Sequence, residues 1–285
     1  MQSEPFATAS QRLPHPTASP DRHPPLPARS ARPGQPKPRL LDQVREAIRT
    51  RHYSYRTEEA YAGWIRRFIL FHHKRHPAEM GKTDVEAFLS SLATDAHVSA
   101  STQSQALNAL LFLYRVVLGQ DFGWLTDVVR AKRPRRLPVV LTREEVKAML
   151  GTLQGRNWLM VMLLYGAGLR LVECLSLRVK DIDLSCGEIM VREGKGQKDR
   201  RTMLPAATRE PLRCHLEKLR VQHVAWLHRG VGAVHLPDAL GRKYPSAQKE
   251  WGWQWVFPAS DLCAHPRTGE RARFHLHESV LQRAV

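Results

Sequence analysis

An arginine and, about 25 residues on, a basic group beside glycines are side chains of types that could work on a phosphodiester. Arg170 stands in Gly168-Leu-Arg170-Leu-Val-Glu173, and Lys195 in Gly194-Lys195-Gly196-Gln-Lys198-Asp-Arg200. A guanidinium is always charged and can hold a phosphate through two parallel hydrogen bonds. A lysine ammonium can act as general acid when a phosphate environment tunes it, and a glycine-flanked turn can enter a DNA groove. Phosphodiester transfer without water or metal needs a nucleophile, cations on the non-bridging oxygens, and an acid for the departing 5′ oxygen. Each residue also has a plainer reading: Arg170 as an ion pair at a helix start, the Gly-Lys-Gly piece as an exposed turn. Glu173 and the downstream hairpin favour a catalytic Arg170. Lys198, Arg200 and Arg201 then read as backbone contacts that position the hairpin without reading sequence.

Local sequence patterns predict the elements that must carry these residues. Residues 157–166 are apolar on nearly every side, as a helix buried in a domain should be, and Gly166 and Gly168 end it. A helical segment follows from Val172 to Leu177. Two short strands, 188–192 and 201–204, are joined as a hairpin across residues 194–199, and another helix runs from Leu212 to Leu227. Thr142 and Glu145 form a capping box that starts a helix reaching about Leu150.

Upstream, Leu40 to Thr50 begins a helical pattern, and Tyr61, Trp64, Ile65, Phe68 and Ile69 make the strongest amphipathic stripe in the chain. Thr83 and Glu86 read as a capping box before the stripe Val85, Phe88, Leu89 and Leu92. Ala106, Leu107, Leu110, Leu111 and Tyr114 make a fourth stripe. These describe a small four-helix domain over residues 39–120. Residues 1–38 hold ten of the 19 prolines and read as a disordered basic arm. Residues 121–141 form a basic linker. Its Arg130, Lys132, Arg133, Arg135 and Arg136, interrupted by Pro134, suit an extended segment tracking phosphates better than a merely solvated one. A mixed α/β domain occupies 142–285. Periodicity weakens at 231–260, where Trp251, Trp253 and Trp255 alternate. In an extended strand all three would share one face and could stack on unpaired bases; packing onto the domain is the alternative.

Composition narrows the partner. Forty-four Lys and Arg against 27 Asp and Glu leave a formal charge of +17 in 285 residues. Such an excess resists compaction and suits a polyanionic partner, nucleic acid before an anionic membrane surface. The longest uncharged apolar stretch, Leu159 to Tyr165, is far below the roughly 20 residues of a membrane span. The first residues lack the apolar core of a secretory signal. Cys174, Cys186, Cys214 and Cys263 form no CxxC pair, which argues against a disulfide scaffold or zinc ribbon and fits a reducing cytoplasm. Cys263, His265, His275 and His277 match no standard zinc spacing, so no metal is expected.

The Gly-Leu-Arg and Gly-Lys-Gly pieces, in this order, resemble the catalytic domain of tyrosine recombinases, the phage integrase family. Arg51-His-Tyr-Ser-Tyr-Arg-Thr-Glu58, Trp64-Ile-Arg-Arg-Phe68, Lys74-Arg-His-Pro77, Met80-Gly81, Ser99-Ala-Ser-Thr-Gln-Ser-Gln-Ala-Leu107 and Leu111-Phe-Leu-Tyr114 are similar to integron integrases in particular. So is Ala239-Leu-Gly-Arg-Lys-Tyr-Pro245, continuing to Trp251-Gly-Trp-Gln-Trp-Val-Phe-Pro258, which resembles the insertion of that subgroup. The resemblance implies an α + α/β fold: a four-helix, SAM-like core-binding domain, then a mixed α/β catalytic domain with a small β-sheet, the two closing on DNA as a clamp. It selects Lys195 as the catalytic lysine and gives Trp251 and Trp253 a part in recognising folded single strands. The implied reaction is strand exchange through a 3′-phosphotyrosine, with no cofactor, in a homo-oligomer on DNA. The family's later His-x-x-Arg box and late tyrosine have no counterpart here: His72 to Arg75 lies upstream, and Tyr244, the sole tyrosine after Arg170, belongs to the insertion. The expectation is therefore a chain cut short before its last catalytic segment, which binds DNA but does not recombine it alone. The competing readings are a non-catalytic DNA-binding fragment or decoy and, in third place, a basic RNA-binding protein.

Overall fold

A computed structural model describes residues 38–121, 123, 125, 127–132, 139–192, 198–237, 240–265 and 268–285. The chain divides into two compact units, Met1–Leu137 and Pro138–Val285.

Four helices build the first unit: α1 (Leu40–Thr50), α2 (Tyr55–Phe71), α3 (Lys82–Thr94) and α4 (Ala100–Phe112). Ser54 caps α2 by accepting the Thr57 N–H, and Ser99 caps α4 by accepting that of Thr102. The apolar stripes meet as expected. Ile48, Ile65, Phe68, Leu89 and Leu110 are fully or almost fully buried, and Phe68 packs edge-on to Phe88 with ring centroids 5.5 Å apart. One start differs from expectation: α3 begins at Lys82, and Asp84 rather than Glu86 reaches back, accepting the Gly81 N–H at 2.8 Å. Glu86 instead accepts the Asp127 N–H, so the Thr83/Glu86 pair is no cap. After α4 the chain continues as π-helical turns, Leu113–Leu118, and stops at Gly119 with φ +68°.

In the second unit α5 (Arg143–Thr152) starts on the Thr142/Glu145 capping box, both hydrogen bonds present. Next come α6 (Gly155–Ala167), α7 (Leu171–Leu175), and strands β1 (Ile182–Asp183), β2 (Glu188–Val191) and β3 (Arg200–Met203), antiparallel in that order. α8 (Ala206–His228) starts six residues ahead of the expected Leu212 and holds Pro211. Proline is a breaker signal in sequence, yet here it removes a single backbone donor in the second turn while Leu212 and Leu219 bury against the core.

Residues 231–257 form short turns: α9 (Leu240–Lys243) and 3-10 turns at Ala247–Lys249 and Trp251–Trp253. The extended strand expected for the three tryptophans is thus replaced by a tight turn. Only Trp255 lies on extended backbone, bridged to Arg178. A hairpin of β4 (Pro258–Ala264) and β5 (Arg271–His275), bulged between Pro258 and Leu262, and α10 (Glu278–Gln282) complete the unit. Sequence did not signal this hairpin because its strands are polar and break alternation. Among the described residues no helix is long and apolar enough to cross a membrane.

Candidate active site

Helix α6 ends where it does because Gly168 takes φ +62°, a left-handed conformation that glycine adopts freely. Leu169 then turns inward, 6% exposed, and Arg170 points out at the start of α7. Its side chain stays 57% exposed, but one edge is held: Nη1 donates to Glu173 Oε1 at 2.7 Å, and the backbone N–H donates to Oε2 at 2.9 Å. Arg200, at the head of β3, donates from Nη1 and Nη2 to the same two oxygens at 2.9 and 2.6 Å. Glu173 is itself 9% exposed at the side chain. These donors, the Arg200 pair above all, hold its pKa down at about 2 against the burial that opposes them. No described residue pairs with Nε or Nη2 of Arg170, the edge that forms a guanidinium's side-on fork. Two guanidiniums against one carboxylate leave an excess positive charge beside that fork, which is the arrangement a phosphate oxygen pair requires.

Strand β3 reaches Arg170 through contacts at its foot. Thr202 Oγ1 donates to the Ala167 carbonyl at 2.9 Å, and Gly166 lies so close to Pro205 that a Cβ there would sit 2.5 Å from its ring. Both stems of the hairpin are fixed. Val191 pairs with Arg200, and Arg192 donates from Nε to the buried Asp181 at 2.7 Å while its Nη1 lies 3.7 Å from Asp199. Lys195 lies outside the described residues, as do Arg133, Arg135 and Arg136. Lys198 is exposed. Arg201 is exposed on the opposite face of the strand from Arg200, and a surface pair with Glu188 at 3.4 Å is its one hydrogen-bonded contact among the described residues. Arg200, expected to contact backbone phosphates, has its terminal nitrogens on Glu173 instead.

The tryptophans separate into two classes. Trp255 is 7% exposed, with its indole N–H donating to the Arg273 carbonyl and the Arg178 guanidinium 3.5 Å from its ring centroid. Trp251 and Trp253 are half-buried; the Lys180 ammonium lies 2.9 Å from the Trp253 ring centroid. Arg178 ties this segment down from Nη1 to the Trp253 carbonyl at 2.6 Å and from Nη2 to the His235 carbonyl at 2.8 Å. Burial draws its pKa down to about 10, and Asp181 opposes that shift. Sequence reading passed over Arg178, because nothing local marks an arginine whose acceptors lie 57 and 75 residues away.

The first unit offers a second surface. Ser101, Ser104, Gln105 and Asn108 of α4, spaced i, i+3, i+4, i+7, line a groove of about 480 Å³ with Arg56, Thr57, Ala60 and Tyr61 of α2, and no carboxylate lines it. This stripe is the complement of the buried one and was readable from the same periodicity. Below it the buried Gln103 donates to the carbonyls of Leu89 and Val129 and accepts the Ala131 N–H at 2.9 Å. That pins alternate residues of the segment following the bundle, and Arg130 between them and Lys132 after them are exposed.

Comparison with known proteins agrees with both units. Residues 40–124 match the family model "Phage integrase, N-terminal SAM-like domain", and residues 139–227 match "Phage integrase family". An integrase/recombinase of Escherichia coli is 50% identical over 246 residues, covering 86% of this chain and 73% of the relative. Tyrosine recombinase XerD of Mycobacterium tuberculosis is 33% identical over 194 residues, 61% of each chain. Among solved structures, the Tn1549 transposon integrase in complex with transposon right end DNA shares the fold, with TM-score 0.52 at 15% identity over 78% of this chain and 71% of that one. An N-terminal SAM-like helical domain followed by a helical catalytic domain with small antiparallel sheets, together with these matches, makes this chain a member of the phage integrase family, the tyrosine recombinases.

Proposed function

We propose that the chain carries the phosphate-binding part of a site-specific DNA recombinase of the integron-integrase type, in which Arg170 takes up the scissile phosphate and Lys195 protonates the departing 5′ oxygen, while none of these 285 residues is assigned as the nucleophile. The observation that carries this reading is the open fork of Arg170, held on one edge by Glu173, whose carboxylate Arg200 also engages, and without a partner among the described residues on the other. A guanidinium fixed before the substrate arrives loses little freedom on binding, so it stabilises the developing charge without reorganising. DNA is the partner, as it is for the Tn1549 integrase in its complex with transposon right end DNA. The α4 groove, with Gln105, Asn108 and Arg56, carries amide and guanidinium groups that pair with base edges in a major groove. Exposed Arg130 and Lys132 begin the run, through Arg133, Arg135 and Arg136, that follows phosphates over residues 121–141; Lys198 and Arg201 add backbone contacts.

The integron type rests on the motif strings and on the insertion at 231–260. Trp251 and Trp253 are its half-buried aromatic surface, suited to unpaired bases of a folded single strand, although Lys180 already covers one of them. The reaction needs no cofactor and proceeds in an oligomer on two sites, within the cytoplasm where the DNA is. A second reading, a DNA-binding protein without strand exchange, needs only the basic excess and the exposed cations Arg130, Lys132, Lys198 and Arg201. A nicked suicide substrate separates the two. A covalent adduct abolished by Arg170→Ala establishes strand transfer, a mobility shift without adduct establishes binding alone, and no shift on duplex or folded single-stranded DNA ends both.

A further inference from the structure

The carboxylate of Glu173 has room for about four hydrogen bonds, and all four are taken: two by Arg170, through its backbone N–H and Nη1, and two by Arg200, through both terminal nitrogens. This saturation has a consequence for Arg170. A buried carboxylate with two vacant lone pairs, next to a guanidinium with an unpaired fork, would close on that fork and form the bidentate pair that is stronger than a single contact. From this geometry we infer that Arg200 is a positioning residue for the phosphate site: by filling Glu173, it keeps the Nε/Nη2 edge of Arg170 available for substrate and leaves the site with one excess positive charge. Arg200 acts through Arg170 rather than by touching DNA. Arg201, its neighbour on the opposite face of β3, provides the contrast, since its surface partner is the half-exposed Glu188.

The inference rests on Arg170 being a phosphate contact, and the test separates the two. Binding of the 285-residue chain to a short fluorescent duplex is measured by anisotropy across a salt series, with thermal melts confirming that each variant folds. R170A is expected to bind about tenfold more weakly and to lower the salt slope by about one. R200A should do the same, and R170A/R200A should be no more than about twofold weaker than R170A, because the second substitution acts on an arginine already gone. Restoring the neutralising charge in R200K, or removing the need for it in R200A/E173Q, should return binding to within about threefold of the parent. A merely structural role for Arg200 would lower the melting temperature of R200A and leave the salt slope of its DNA binding at the parent value. Should R200A fail to melt cooperatively, Arg200→Met, which keeps the stem and loses the charge, takes its place in every comparison. Additive losses in R170A/R200A would mean that Arg200 contacts phosphate itself and would overturn the inference, as would an R200A/E173Q variant no better than R200A. If R170A binds like the parent, the phosphate site itself is refuted.

Discussion

Phe68 and Arg178 hold comparable places in their two units, each near the middle of a packed region and each less than a tenth exposed. Around Phe68 the neighbours are other rings and branched chains. Its contacts are non-directional, and any well-filled apolar core would serve. Around Arg178 the neighbours are two backbone carbonyls, a tryptophan face and the carboxylate of Asp181, which accepts its backbone N–H. Such contacts have fixed directions, and each carbonyl left without a donor costs free energy in the interior. The first unit is therefore assembled by stripes, whereas the second adds guanidiniums to an apolar core around Leu159, Met160 and Leu163: Arg178 and Arg273 are buried, and Arg192 and Arg200 anchor the hairpin stems. Part of the basic excess of this chain is therefore internal architecture.

Four substitutions press on that difference. Phe68→Ala should cost about 4 kcal/mol and raise amide exchange across α1 to α4. Arg178→Ala should cost about 3 kcal/mol and raise exchange at residues 171–182 and 231–257, by stranding two carbonyls and removing the cation from Trp255. If Arg178→Ala leaves exchange at 231–257 unchanged, the guanidinium is not what holds that segment.

Glu173→Gln comes next, at about 2 kcal/mol near neutral pH. The native carboxyl titrates at about 2 and the unfolded one near its ordinary 4.5, so its contribution is complete above pH 4.5 and vanishes as pH falls to about 2. Urea melts of parent and variant should converge over that window; a constant gap down to pH 2 would show that the ionised carboxylate is not the source.

Smallest in stability is Asn108→Ala on the exposed side of α4, expected within about 0.5 kcal/mol of the parent in melts. Its effect should appear in a selection from random duplexes as relaxed preference at one base position, worth about 1–3 kcal/mol. An unchanged preference would remove α4 from the reading surface.

Periodicity made the first unit legible: the stripes that include Trp64, Ile65 and Phe68, and Leu110 and Tyr114, describe helices and core together, since one spacing sets both. Capping chemistry was legible at Thr142 and Glu145, where both partners are three residues apart, and misleading at Thr83, where Asp84 competes for the cap. The hairpin β2–β3 followed from its glycines and β-branched residues. By contrast β4–β5 and the turn at Trp251–Trp253 escaped, because their order depends on groups from elsewhere in the chain: Trp226, whose ring meets Arg273 of β5, and Arg178, which bridges to Trp255.

Arg170 was legible as a candidate from a glycine stop before it, an acid three residues on and the hairpin downstream. Local pattern also set the four-helix bundle and the basic balance. What only the folded chain decided is which cations remain available. Arg200 and Arg201 are adjacent in sequence and alike in chemistry, yet the pleat of β3 turns one onto a buried carboxylate and the other outward. Charge is a property of the residue, but a vacant hydrogen-bonding edge belongs to the neighbours that fail to fill it.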